Sequence, residues 1–189
     1  MKLTIKKIIV VVLFFVFVFS ITSPIFAWVT SDARIDSIPT TYKHRTGSAT
    51  AVVNAFDLAR GYWNSSVTGL YLTLNSSSAN EAATQNIVGG VRGEAYRYNW
   101  LYINGKPKVN IVGGYLFLEA FQNYVVYVNL AFSQVTNGYT STAGHELGHV
   151  FGLSHSTVSN SLMDGNRNIE TVYTPKSDDI NGVKAHCGL

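Results

Sequence analysis

Within the stretch His145-Glu146-Leu147-Gly148-His149-Val150-Phe151-Gly152-Leu153-Ser154-His155 the chain gathers three imidazoles and one carboxylate. On an α-helix four residues advance by about 400°, so His145 and His149 lie about 40° apart on one face, a turn from each other. Two imidazoles so placed can grip one ion. Zinc suits imidazole, and three protein ligands leave its fourth tetrahedral position for water or substrate. His155 cannot join them on a continuing helix, because six residues rotate it by about 240° and carry it roughly 9 Å onward. The chain must turn back, and Gly152 stands where a left-handed residue ends a helix at little steric cost. Glu146 points about 100° away from His145, which suits it to reach a metal-bound water instead of the metal. There it can take a proton and later pass it to a leaving amine. A bare pair of histidines four apart also occurs on helices that hold no metal. Adding the glycine and the third histidine at fixed offsets is what argues for a site.

Several elements must position these residues. Ala49, Val52, Val53, Phe56, Ala59, Tyr62 and Trp63 recur at spacings of three and four, which predicts an amphipathic helix ended by Asn64, Ser65 and Ser66. Leu70 to Leu74 alternates as a strand. From Ile87 to Phe121 the chain is rich in Gly, Tyr and Val, with turn signals at Asn104-Gly105 and Gly113-Gly114, and hairpin-like strands are expected. Tyr124 to Phe132 is the strongest strand, closed by an Asn137-Gly138 turn. Thr140 and Ser141 then cap the helix that carries the histidines to about Phe151. A last helix is capped by Ser177, with Asp178 and Asp179 in its first turn and Ile180, Val183 and Ala185 as its inner face.

Ahead of all this, Lys2, Lys6 and Lys7 precede an apolar run from Ile8 to Phe19 and a polar stretch before Ala27. That order is expected of a secretory signal peptide, residues 1–27, cut after Ala27. The alternative is a retained N-terminal anchor, for which the run is short. Losing those three lysines takes the formal charge from +3 to zero. A neutral domain gives no electrostatic reason for a nucleic-acid or anionic-membrane partner. Residues 28–189 are expected to form a single domain. Cys187 is the only cysteine, so no intrachain disulfide is available.

These residues resemble the metzincin zinc proteases, whose motif H-E-x-x-H-x-x-G-x-x-H is met without departure from His145 to His155. Ser161-Leu162-Met163-Asp164 is similar to their methionine turn. The resemblance implies that Met163 forms an apolar floor beneath the three histidines and is not a ligand. Within the metzincins the chain looks most like a minimal, bacterial-type matrixin. Pro175 to Val183 is similar to that family's last helix, which implies that Asp178 and Asp179 tie it to the methionine turn or to the mature N-terminus. The implied fold is α+β: a twisted, mostly parallel sheet with an active-site helix, a methionine turn and a C-terminal helix. Val125 to Leu130 would lead toward the active-site helix, a lower subdomain would follow Gly152, and a substrate strand would pair with the sheet's exposed edge.

The chain also departs from that pattern. No cysteine lies upstream of the site to block the metal, and among the upstream carboxylates Asp32 or Asp36 are the candidates for an acidic cap. Between Asn86 and Phe121 no aspartate or histidine occurs, and Glu94 and Glu119 are the only carboxylates. One catalytic zinc ion is therefore expected, and calcium has no support in the sequence. Gly165 occupies the place of a tyrosine that binds zinc in some metzincins. Tyr173 is a candidate to line the cleft or to pack.

The function so expected is that of a secreted, extracellular and monomeric zinc endopeptidase acting on polypeptides. Zinc-activated water attacks the peptide bond, Glu146 is the general base, and His145, His149 and His155 are the ligands. A secreted binding module that keeps zinc only for stability is one alternative, although structural zinc sites close with four protein ligands. A zinc hydrolase of a cell-wall peptide is another.

Overall fold

The computed structural model describes residues 33–36, 38–86, 89–100, 102–103, 106–107, 110–112, 115–117, 119–132 and 135–189. The expected signal peptide, Asp32 and the Asn104-Gly105 and Gly113-Gly114 turns lie outside the described residues. The elements in chain order are β1 (Ala33–Ile35), β2 (Thr40–His44), α1 (Thr50–Ser66), β3 (Leu72–Leu74), β4 (Glu81–Gln85) and β5 (Gly93–Trp100). There follow β6 (Tyr102–Ile103), β7 (Lys106–Pro107), β8 (Asn110–Val112), β9 (Tyr115–Phe117), β10 (Glu119–Asn129), α2 (Thr136–Val150) and α3 (Ser177–Cys187).

The main sheet runs β1-β10-β4-β2-β3 with every pair parallel, and β5 adds to β10 as the one antiparallel strand. It is the mixed, mostly parallel α+β arrangement the sequence implied. Parallel neighbours need a crossover, and α1 supplies it between β2 and β3. Val52, Ala55, Phe56, Ala59 and Trp63 form its buried face at helical spacing. Asn64 then stands in for a strand partner: its side chain donates to the Leu72 carbonyl at 2.8 Å and accepts the Leu72 N–H at 3.0 Å. Tyr124, Val125, Val126 and Val128 of β10 are all buried, the continuous apolar run of a strand paired on both sides. Asn80, itself buried, stitches the entrance of the sheet by donating to the Thr41 carbonyl and accepting the Tyr124 N–H.

The glycine-containing dipeptides at 104–105 and 113–114 are flanked by antiparallel pairs, Ile103 with Lys106 and Val112 with Tyr115, as hairpins require. Three boundaries differ from expectation. The strong strand spans Glu119–Asn129, shifted toward the N-terminus, because its pairing with β5 and β1 extends back through Glu119 and Phe121. The following helix begins at Thr136, so Asn137-Gly138 lies in its first turn and does not close a strand. Thr140 and Ser141 are not caps but buried interior residues. The Ser141 hydroxyl is engaged elsewhere, donating to the Val172 carbonyl at 2.6 Å.

At the start of α3 the cap position is Lys176, not Ser177. Asp179 provides the cap interaction from inside the helix by accepting the Lys176 N–H at 2.8 Å. The same carboxylate accepts the N–H groups of Leu162 at 2.7 Å and Met163 at 3.0 Å. The tie between the acidic pair and the methionine turn is therefore present, and Asp178 extends it by accepting the Ser156 hydroxyl at 2.6 Å. The inner face of α3 is Asp179, Gly182, Val183 and His186, with Ile180 half-buried against the core, so Ala185 gives way to His186. Replacing Asp179 by Ala strands three backbone donors in a buried place. A loss of roughly 3 kcal/mol in urea unfolding is expected, and a smaller one for Asp179→Asn, which keeps one acceptor. An unchanged midpoint for the Ala variant would show the tie to be idle.

Candidate metal centre and active site

Helix α2 places His145 and His149 one turn apart, and its end is built to return the chain. Gly152 has φ of 96°, the left-handed conformation that an L side chain resists. Its N–H bonds to the His149 carbonyl at 3.2 Å, and the Leu153 N–H reaches back to the Gly148 carbonyl at 3.0 Å. This pair of bonds satisfies the last carbonyls of the helix while reversing its direction. His155 is thereby brought to His145 and His149, with ring centroids 5.1 and 5.2 Å away, while those two lie 4.8 Å apart. One nitrogen from each of the three lies within 4.8 Å of the others, a cluster able to hold a single metal ion.

The orientation of two ligands is set by peptide oxygens. Nδ1 of His145 is 2.8 Å from the Leu162 carbonyl, and Nδ1 of His149 is 2.7 Å from the Leu153 carbonyl. A carbonyl only accepts, so each Nδ1 carries the proton and each Nε2 keeps its lone pair for a metal. Burial holds His145 well below the usual histidine range and lowers His149 to about 4, with neighbouring arginines and His155 adding to the effect. Both are neutral at physiological pH, the form a metal requires.

Beneath the ligands the backbone of α2 comes close to the methionine turn. A Cβ at Gly148 would overlap Met163 Sδ, and one at Gly144 would lie 3.1 Å from Leu162 Cδ2. Met163 is 1 % exposed. The Trp63 indole donates to the Gly144 carbonyl at 2.9 Å, locking α1 to the same face. Gly144 and Gly148 are thus favoured by close packing, a reason that spacing alone does not reveal.

Glu146 is 6 % exposed and faces β5. A Cβ at Gly93 would meet Thr142 Cγ2 at 2.7 Å and Glu146 Cγ and Oε1 each at 2.8 Å, so the first residue of β5 lies directly on the carboxylate. Burial pushes the Glu146 carboxyl up to about 8, with Arg167 opposing the shift and Glu94 adding to it. The segment leading into β5 is secured by Asn129, whose N–H donates to the Arg92 carbonyl at 2.8 Å and whose side chain donates to the Val91 carbonyl at 2.7 Å.

The three histidines and Glu146 line one open cleft of about 520 Å³, whose other walls include Gly93, Glu94, Arg97, Thr142, Gly165 and Arg167. Sequence reasoning missed Gly93 and the arginines, because nothing in their local spacing marks them. Gly165 lies against His155, and a Cβ there would touch its Nδ1 at 4.0 Å. Tyr173 packs against Tyr62, with ring centroids 6.0 Å apart, and is not among the cleft residues.

Residues 110–188 match the matrixin family. The chain is 30% identical over 141 residues to the metalloendoproteinase 2-MMP of Arabidopsis thaliana, an alignment covering 70% of this chain and 36% of that protein. The chain thus spans about a third of the length of this relative. Among solved structures it is similar to the GM1-bound form of the ECX AB5 holotoxin, with 13% identity, coverage of 85% and 84% of the two chains, and a TM-score of 0.48, too slight a likeness to carry weight. What the histidine cluster, the helix reversal and the match over residues 110–188 together establish is a matrixin-like zinc-protease fold of the metzincin kind, with His145, His149 and His155 as its metal-binding triad.

Proposed function

We propose that the chain is a secreted zinc endopeptidase that hydrolyses peptide bonds with Glu146 as general base. The single observation that carries this reading is a buried carboxylate next to three convergent imidazoles, all lining one open cleft. A zinc ion there supplies a Lewis acid for the scissile carbonyl and lowers the pKa of its water to about 7. The chain's own groups do the rest. His145, His149 and His155 would hold the ion in the cleft they line, Gly152 and Met163 shape the reversal and the floor, and Glu146 would take a proton from the attacking water. A cation held by the three histidines would favour the ionised form of this carboxyl and oppose the rise that burial causes. Glu146 then returns the proton to the departing amine.

Substrate binding falls to β5. Among the described residues it pairs with β10 alone, and residues 93–95 and Arg97 line the cleft. An extended peptide can therefore add to its second edge through main-chain hydrogen bonds.

Glu146→Gln is expected to purify with one zinc per chain and to cut casein or gelatin about 100- to 10,000-fold more slowly than wild type. His149→Ala is expected to lose both metal and activity. Cutting at the wild-type rate by the zinc-loaded Gln variant would remove Glu146 from the mechanism.

Gly93→Ala tests the contact from β5. The added methyl displaces Glu146 without touching a ligand, so zinc content should persist while kcat falls at least 10-fold. An unaltered kcat would show that β5 does not hold the base.

Export is part of the same reading. N-terminal sequencing of protein recovered from culture medium should begin at Trp28, and recovery only in the cell with Met1 intact would count against it.

A further inference from the structure

One charged group in the cleft has no part in the mechanism above. Arg167 follows the methionine turn, and its guanidinium is fixed by three hydrogen bonds: Nε to the Ser141 hydroxyl at 2.9 Å, Nη1 to the Asp164 carbonyl at 3.1 Å and Nη2 to the Ser141 carbonyl at 3.2 Å. All three acceptors are neutral, so none of these bonds pairs the charge with a carboxylate, and two of its five N–H groups are left unused by them. Burial lowers its pKa only to about 10, with Glu146 countering the shift and Arg92 adding to it, and the group stays charged at neutral pH.

Its surroundings favour an anion. Arg92 and Arg97 line the same cleft, and the Arg92 guanidinium lies over the Phe132 ring, 5.2 Å from its centroid. Against these three stand Glu94 on the β5 wall and the buried Glu146, with Asp164 and Asp179 also acting on Arg167 from the methionine turn and α3. Gly165 brings no side chain to the cleft wall beside His155, and Ile169 lines the same cleft. A planar, pre-oriented fork with spare donors is the group that best matches a carboxylate.

We propose that Arg167 is the specificity-determining residue of this cleft and selects peptides that carry an aspartate or glutamate side chain beside the scissile bond. The proposal deepens the endopeptidase reading and rests on it for the peptide nature of the substrate, but the charge preference can be measured without hydrolysis.

The test uses zinc-loaded Glu146→Gln protein, which binds without cutting, and fluorescent peptides matched in pairs, with Glu or Gln placed in turn at each position. Fluorescence anisotropy should show the Glu peptide binding about 10-fold or more tightly at one position, as expected for a charged hydrogen bond. Adding Arg167→Gln should make the pair bind equally, and Arg167→Lys, which keeps the charge but not the fork, should retain part of the preference. Zinc content and melting temperature check folding. Should the Gln variant fail to fold, the Lys variant decides, and an undiminished preference in it overturns the proposal. Equal affinities with Arg167 in place, no binding of any peptide, or a preference that survives Arg167→Gln because the metal takes the carboxylate would each overturn it as well. Cleavage of a peptide library by wild-type protein separates the two readings. Cutting without enrichment of acidic residues sinks the Arg167 subsite and leaves the endopeptidase standing. An Arg167-dependent preference in a protein that cuts nothing does the reverse.

Discussion

The histidine cluster depends on the reversal of the chain at Gly152. A straight helix presents two imidazoles to one point and no third, since its geometry carries the next candidates around and away. The left-handed glycine solves this locally, and its two backward hydrogen bonds satisfy the helix end in the same stroke. Because Leu153 follows at once, its carbonyl falls where Nδ1 of His149 can use it. The turn that brings in the third ligand therefore also aims the second.

A second constraint acts from below. The methionine turn has to come close enough for the Leu162 carbonyl to meet His145 and for Met163 to lie against Gly148. Asp179 holds it there by accepting two of its N–H groups from the start of α3. Burial raises the pKa of this carboxyl and the three N–H bonds oppose that, so the hydrogen bonds are the compensation that lets a carboxylate reside in the interior. The C-terminal helix thus reaches His145 through the Asp179 carboxylate and the backbone of the methionine turn.

How much of this could be read in the sequence follows from how local each feature is. The three ligands, Glu146 and Gly152 lie within one short stretch, so helical geometry is enough to relate them. Met163 and the acidic pair at 178 and 179 were legible through a family pattern, since nothing in their own spacing tells that a carboxylate caps two N–H groups sixteen and seventeen residues away. The start of α2 was misplaced because Thr140 and Ser141 have the side chains of cap residues, and only the tertiary fold shows Thr140 buried and the Ser141 hydroxyl engaged with Val172 and Arg167. Gly93 was invisible for a related reason. It meets Glu146 from a strand far away in the sequence, and glycine carries no chemical signature that a reader of residues could follow.

The two ligand histidines held by Leu153 and Leu162 are steered by peptide oxygens, and this has an electronic side. A carboxylate in the same place would share its negative charge with the imidazole and, through it, with any cation bound beyond. Peptide oxygens bring dipoles but no net charge, so a dication seated among these rings keeps its electron-withdrawing power nearly whole.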